Sequence, residues 1–161
     1  MQNIDLICVG KLNADYFAKG VAEYQKRLSA FCNFRIIELP EETVSEKNAG
    51  ETVIQRALEK EGKAILSHLR KGEALAALCV EGKLISSEEL ADLLEQKAGS
   101  GEGDIAFVIG SSHGLSPEVK QAARYKISLG RITLPHQLAR LVLTEQLYRA
   151  CTIRSGMKYH K

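Results

Sequence analysis

The chain has 161 residues, 45% of them hydrophobic and 26% charged, a balance that fits one folded domain and is short for two. Its formal net charge of +2 points by itself to no polyanion. Apolar runs such as Ile105 to Ile109 and Leu141 to Leu143 are far too short to span a bilayer, and the start MQNIDLICVG carries Asp5 where a signal peptide needs uninterrupted apolar residues. The expectation is therefore a cytoplasmic protein with no membrane partner.

Apolar periodicity alternates short β runs with helical stretches. Asn3 to Val9 reads as a strand, and Asn13 to Phe31 follows as a helix on Tyr16, Phe17, Val21, Tyr24, Leu28 and Phe31. Phe34 to Leu39 is the second strand, stopped by Pro40, and the polar, acidic segment Glu41 to Gly50 reads as a mobile loop. Glu51 to Arg70 is an amphipathic helix on Val53, Ile54, Ala57, Leu58, Ile65, Leu66 and Leu69, and Ala74 to Val80 is a strand that ends at Glu81-Gly82. Ser86 with Glu89 forms a capping box for a helix through Lys97, and GSGEG (99–103) turns the chain into the strand Asp104 to Ile109. Ser116 and Pro117 open a short helix to about Tyr125, Lys126 to Leu134 is the last strand, and Gln137 to Arg154 the last helix.

Strands separated by helices pair in parallel, so residues 1–161 read as a single α/β domain, a three-layer Rossmann-like sandwich with a parallel-type sheet. Ligands of such sheets sit at the carboxyl ends of the strands, which singles out the loops after Val80, Ile109 and Leu134. The last helix carries Leu138, Leu141, Val142, Leu143, Leu147, Tyr148 and Cys151 round most of its circumference. Such a helix needs two packing partners, and a symmetric second copy is the expected one, giving a homodimer.

Splitting the chain changes the meaning of its charge. Residues 1 to 114 hold 13 Lys+Arg against 18 Asp+Glu, while 115 to 161 hold 9 against 2. An acidic front with a basic tail is a prior for a polyanion. The four cysteines, at 8, 32, 79 and 151, show no CxxC and no clustering with histidine, so neither a metal site nor a disulfide framework is indicated.

GSGEG follows a helix and opens a strand, the reverse of a phosphate cradle, and reads as a turn. Gly110-Ser111-Ser112-His113-Gly114 has the right placement for a ligand loop, after a strand and before a helix. It also matches the G-x-S-x-G nucleophile elbow, with Ser112 as nucleophile and Glu118 or Glu145 and His136 or His160 downstream. Against a serine hydrolase, Leu115-Ser116-Pro117 delay the helix that an elbow needs directly behind its serine. His136 sits at a helix start after Pro135, Arg140, Arg149 and Arg154 lie on the last helix, and Tyr159-His160 in a basic tail could stack on a base and bond to its edge. A non-catalytic RNA-binding module shares that tail but needs no ligand loop.

VEGK (80–83), FVIGSSHGLSPEV (107–119), ISLGRITLPHQLARLVLTEQLYRACTI (127–153) and the terminal YHK together resemble the RlmH-type ribosomal RNA large-subunit pseudouridine N3-methyltransferases of the SPOUT superfamily. The strand ending in VGK (9–11) and the length also fit, so the resemblance covers the whole chain. It implies S-adenosyl-L-methionine held in a C-terminal trefoil knot, the α/β knot of that superfamily. Carried over by position, the cofactor pocket comprises Leu78, Gly110, Leu129, Gly130, Arg131, Ile132, Thr133 and Leu134. Ser111 stands where the family often has a second glycine. The resemblance further implies a homodimer in which one subunit's Tyr159 and His160 complete the other's site, and a substrate in a stem-loop of 23S ribosomal RNA on the assembled ribosome. Transfer of a methyl group from a sulfonium needs positioning and a nucleophilic nitrogen, and no metal. On this reading His160 takes the N3 proton, Tyr159 accompanies it, Arg154 or Arg140 stabilises the uridylate charge, and Arg140 and His136 face the substrate.

Overall fold

The computed structural model describes residues 1–45, 47 and 50–161; positions 46, 48 and 49 of the expected mobile loop lie outside the described residues. The chain runs β1 (Asn3–Val9), α1 (Asp15–Leu28), β2 (Asn33–Leu39), α2 (Glu51–Ser67), β3 (Ala74–Leu84), α3 (Ser87–Gly99), β4 (Ile105–Ile109), α4 (Pro117–Ala122), β5 (Tyr125–Ser128) and α5 (His136–Arg154). All strands pair in parallel in the order β2-β1-β4-β3-β5.

The sheet is covered on both faces, which is why β4 (IAFVI) is apolar at every position and β1 nearly so. Alternate residues go to opposite layers: Ile4, Leu6, Cys8, Ile105, Phe107 and Ile109 pack with Leu28, Leu94, Leu143 and Leu147 of α1, α3 and α5. Ile7, Val9, Leu75, Ala106 and Val108 pack with Ile65 of α2 and Val119 of α4. Helix starts follow local chemistry: Ser86 Oγ accepts from the Glu89 amide at 3.0 Å, and Ser116 Oγ from the Val119 amide at 3.2 Å behind Pro117.

Three expectations change. β3 does not end at Val80: Ile127 pairs first with Leu78 and again with Lys83, so residues 79–82 bulge out and the strand resumes to Leu84. Gly82 permits this, since a Cβ there would meet the Ile127 backbone at 2.6 to 2.8 Å. β5 covers only Tyr125–Ser128 instead of Lys126 to Leu134. Ser128 Oγ bonds the Gly130 backbone, and Gly130 at φ +149° turns the chain away from the sheet. Finally, α5 lies between α1 and α3, so much of its wide apolar surface is covered within the chain; Leu138, Leu141 and Val142 remain half-buried.

At the other edge of the sheet, the fully buried Asp5 carboxylate takes Arg35 through two bonds of 2.9 and 3.1 Å and Arg70 at 3.4 Å. Glu73 stands beside them with one buried oxygen unpartnered, and burial, together with Asp5, pushes its carboxyl up to about 7. A carboxyl raised in the folded state stabilises most when protonated, so its contribution is complete below the unfolded value and lost as pH rises through about 7. The thermal midpoint is therefore expected to fall as pH rises from about 4.5 to about 7, and Glu73→Gln to flatten that fall. Scanning calorimetry across the interval checks both.

Candidate functional site

A cavity of about 740 Å³ opens at the carboxyl ends of β3, β4 and β5. It exists because β5 stops early. The 129–135 segment, released from the sheet, forms one wall; the 110–114 loop forms the opposite one; the start of α5 closes the base with His136 and Ala139. Of the eight expected cofactor residues, Leu78, Gly110, Leu129, Gly130, Ile132, Thr133 and Leu134 line this cavity, while Arg131, an exposed neighbour, is not among the lining residues.

The 110–114 wall is a tight turn, with the Gly114 amide on the Ser111 carbonyl at 2.9 Å and Gly114 at φ +90°. Gly110 has no room for a side chain, because a Cβ would lie inside the Gly114 carbonyl group. Ser112 Oγ donates to Glu41 Oε1 at 3.0 Å and bonds no histidine among the described residues, and α4 begins only at Pro117. A hydrolase elbow needs a base on its serine and a helix directly behind it, and both are missing here. The β3 bulge reaches over the mouth, where Glu81 pairs with Lys120 at 2.5 Å and is held below the usual carboxylate range by it. Val80 and Ile132 flank the mouth, 83% and 82% exposed.

The expected catalytic tail is docked elsewhere. Tyr159 packs edge-on against Tyr148 at 4.8 Å and donates to Glu145 Oε1 at 3.0 Å, with the Arg149 guanidinium 4.7 Å over its ring. Burial, then Tyr24 and Glu145, push the phenol well above its usual value, so it acts as a donor and not as a base. His160 stands between Arg149 Nη1, 3.2 Å from its Nδ1, and Glu88 Oε1, 2.6 Å from its Nε2. A guanidinium only donates, so this pairing assigns the lone pair to Nδ1 and the proton to Nε2. The tail residues do not line the cavity of their own chain.

The arginines are redistributed as well. Arg140, expected on the substrate, is 3% exposed, and its guanidinium is taken up by Glu38 Oε2 and the Gly10 carbonyl, each at 2.8 Å. Arg154, expected in catalysis, bonds Glu95 at 2.8 Å and Gln2 at 3.0 Å, beside the start of β1 and so at the edge of the sheet opposite the cavity. Arg149 and Glu145 are instead the charged residues that hold the tail, joined by bonds of 2.7 and 3.0 Å. Their i, i+4 spacing in LTEQLYRA was the available signal. No group of three or more His, Cys, Asp or Glu side chains among the described residues could hold a metal ion.

The family model described as "Predicted SPOUT methyltransferase" matches residues 2–160. The chain is 51% identical over 159 residues to Ribosomal RNA large subunit methyltransferase H of Ligilactobacillus salivarius, covering 99% of both chains. It is 48% identical to the protein of that name from Limosilactobacillus reuteri, over 99% of both. With the Streptococcus uberis protein it shares 49% over 98% of this chain and 99% of the relative. A solved structure titled as a probable methylase family protein from Haemophilus influenzae Rd KW20 shares the fold at a TM-score of 0.50 and 17% identity, over 99% of this chain and 70% of the other.

The two walls make different demands on mutation. Gly110→Ala forces a Cβ against backbone and is expected to cost about 1–3 kcal/mol of stability, whereas Ser112→Ala removes one exposed bond and stays within about 0.5 kcal/mol of wild type. Urea unfolding midpoints check the contrast.

Proposed function

Because the chain belongs to the SPOUT methyltransferase family, we propose that it is a ribosomal RNA large-subunit methyltransferase that places a methyl group on N3 of a pseudouridine in 23S ribosomal RNA. The single observation that carries this reading is the cavity at the strand ends, walled by the 110–114 and 129–135 segments. Its fit to S-adenosyl-L-methionine rests on size and lining. A volume of about 740 Å³ lies within the range of small-molecule sites. Leu78, Leu129, Ile132 and Leu134 offer apolar surface, and Gly110 and Gly130 bring backbone close. The cofactor supplies an electrophilic methyl group when bound. The chain's share is to hold it, to present the target nitrogen in line, and to take one proton.

The proton falls to His160. Tyr159 is held as a phenol on Glu145, and Arg149 cannot accept. With its Nε2 proton on Glu88, the His160 ring is oriented so that Nδ1 can receive the N3 proton, and Glu88 balances the imidazolium that results. Arg149, released from Nδ1, faces the charge left on the base. In this scheme Arg149 takes the part first given to Arg154 and Arg140.

Because the tail and the cavity are separate within one chain, a homodimer in which each tail serves the partner's cavity completes the site. Exposed Val80 and Ile132 and half-buried Leu138, Leu141 and Val142 support a second copy. The knotted C-terminal topology of the superfamily agrees with a 129–135 segment that leaves the sheet beside the β3 bulge before α5 returns across it. Five cations in the last 47 residues, Arg124, Lys126, Arg131, Lys158 and Lys161, form no ion pair among the described residues and suit a phosphate backbone. A ribosomal substrate places the protein in the cytoplasm. Among the described residues no helix is long and apolar enough to cross a membrane.

Labelled S-adenosyl-L-methionine incubated with ribosomes lacking the modification is expected to label one pseudouridine of the large-subunit RNA; label on another RNA or on no RNA contradicts the substrate. His160→Ala is expected to slow single-turnover transfer by about a hundredfold or more with cofactor affinity kept. A wild-type rate in that variant removes His160 as the base.

A further inference from the structure

The 110–114 wall is tied to α2 by a carboxylate in an apolar position. Along α2 the inward stripe runs Ile54, Ala57, Leu58, Glu61 and Ile65, and Glu61 is 5% exposed. Periodicity calls for an apolar residue there, and a buried carboxylate is costly unless both oxygens are satisfied. They are: Oε1 accepts from Ser111 Oγ at 2.8 Å, and Oε2 accepts from the Glu42 amide at 2.9 Å. Burial nonetheless pushes the carboxyl above its ordinary value against these two bonds. Beside it, Gly62 lets α2 press on the N-cap of α4, where a Cβ would collide with Ser116 Oγ. The loop thus leaves the buried strand β4 and enters a helix fixed against α2, with Glu61 at its midpoint. Ser112 adds a second, exposed tie to Glu41 of the same post-β2 segment.

We propose that Glu61 is a positioning residue for the methyl donor: through Ser111 it holds the 110–114 wall in the shape that accepts the cofactor. The proposal rests on the reading of the cavity given above. A loop bounded by Gly110 and by Gly114 at positive φ has backbone freedom to lose, and ordering it beforehand removes that cost from binding. This also gives a reason for serine at 111. Its hydroxyl is the only group on the loop that reaches the Glu61 carboxylate among the described residues, and glycine there could not make the tie.

The test is titration calorimetry of the full-length protein with S-adenosyl-L-methionine, comparing wild type with Ser111→Ala, Glu61→Leu and the double variant, alongside thermal midpoints and cofactor KM and kcat. Each single variant is expected to weaken cofactor binding about tenfold, the order set by one hydrogen bond to a charged group. Cofactor KM should rise while kcat at saturating cofactor stays within about twofold, as expected when uniform binding is lost. The double variant should bind no worse than either single one, because both remove the same tie. Glu61→Gln, which keeps one acceptor oxygen, should fall between wild type and Glu61→Leu. Should Glu61→Leu not fold, Ser111→Ala and Glu61→Gln decide alone. Wild-type affinity in the singles, or losses that multiply in the double, overturns the clamp and leaves the cavity reading intact. Wild-type protein that binds no cofactor overturns that reading and the clamp with it.

Discussion

The early end of β5 governs where chemistry can occur, because an edge strand that continued to Leu134 would keep residues 129–135 flat against β3 and leave no cavity between them. Ser128 folds its hydroxyl onto Gly130, and the glycine takes a conformation that side-chain-bearing residues rarely adopt. β3 responds by bulging over 79–82 and pairing again with Ile127, a crossing that Gly82 alone has room for. The Gly110 turn then supplies the facing wall. Three backbone features, each dependent on a glycine, thus open one cavity at the carboxyl edge of an otherwise closed parallel sheet.

Charge has a double use in this chain. The basic last 47 residues suggested a polyanion partner, yet several of their cations stitch the molecule together: Lys120 to Glu81, Arg140 to Glu38, Arg154 to Glu95 and, when protonated, His160 to Glu88. Each of these acids lies in the acidic front. The asymmetry along the sequence is therefore partly an internal complement, and only the cations outside such pairs are left for RNA. The same pairing fixes the tail, since Glu145 and Arg149 hold Tyr159 while Glu88 and Arg149 hold His160 between them.

Much of this was legible in the residues. Buried strands announce themselves as apolar runs, so β1 and β4 and the parallel architecture follow from IDLICV and IAFVI, and the loop after Ile109 was marked by its glycines. What escaped was tertiary. IS and ITL around Leu129-Gly130-Arg131 look alike as strand formers, and only the pairing partner shows that the ladder stops at Ser128. Arg140 and Arg154 could not be told from Arg149, because all three lie on one helix and their fates depend on acids 59 to 102 positions away or, for Arg149, one turn back. Glu61 was invisible for the opposite reason. It falls in an apolar stripe, and nothing local says whether such a carboxylate is buried or turned out.

Amide hydrogen exchange with and without S-adenosyl-L-methionine tests whether the methyl donor sits in the cavity between the two walls. Added protection is expected in 110–115 and 128–136, with β2 and the first turns of α2 unchanged. Protection centred on Lys83, Glu89 and Arg124, which line a separate surface depression, or no protection at all, would contradict it.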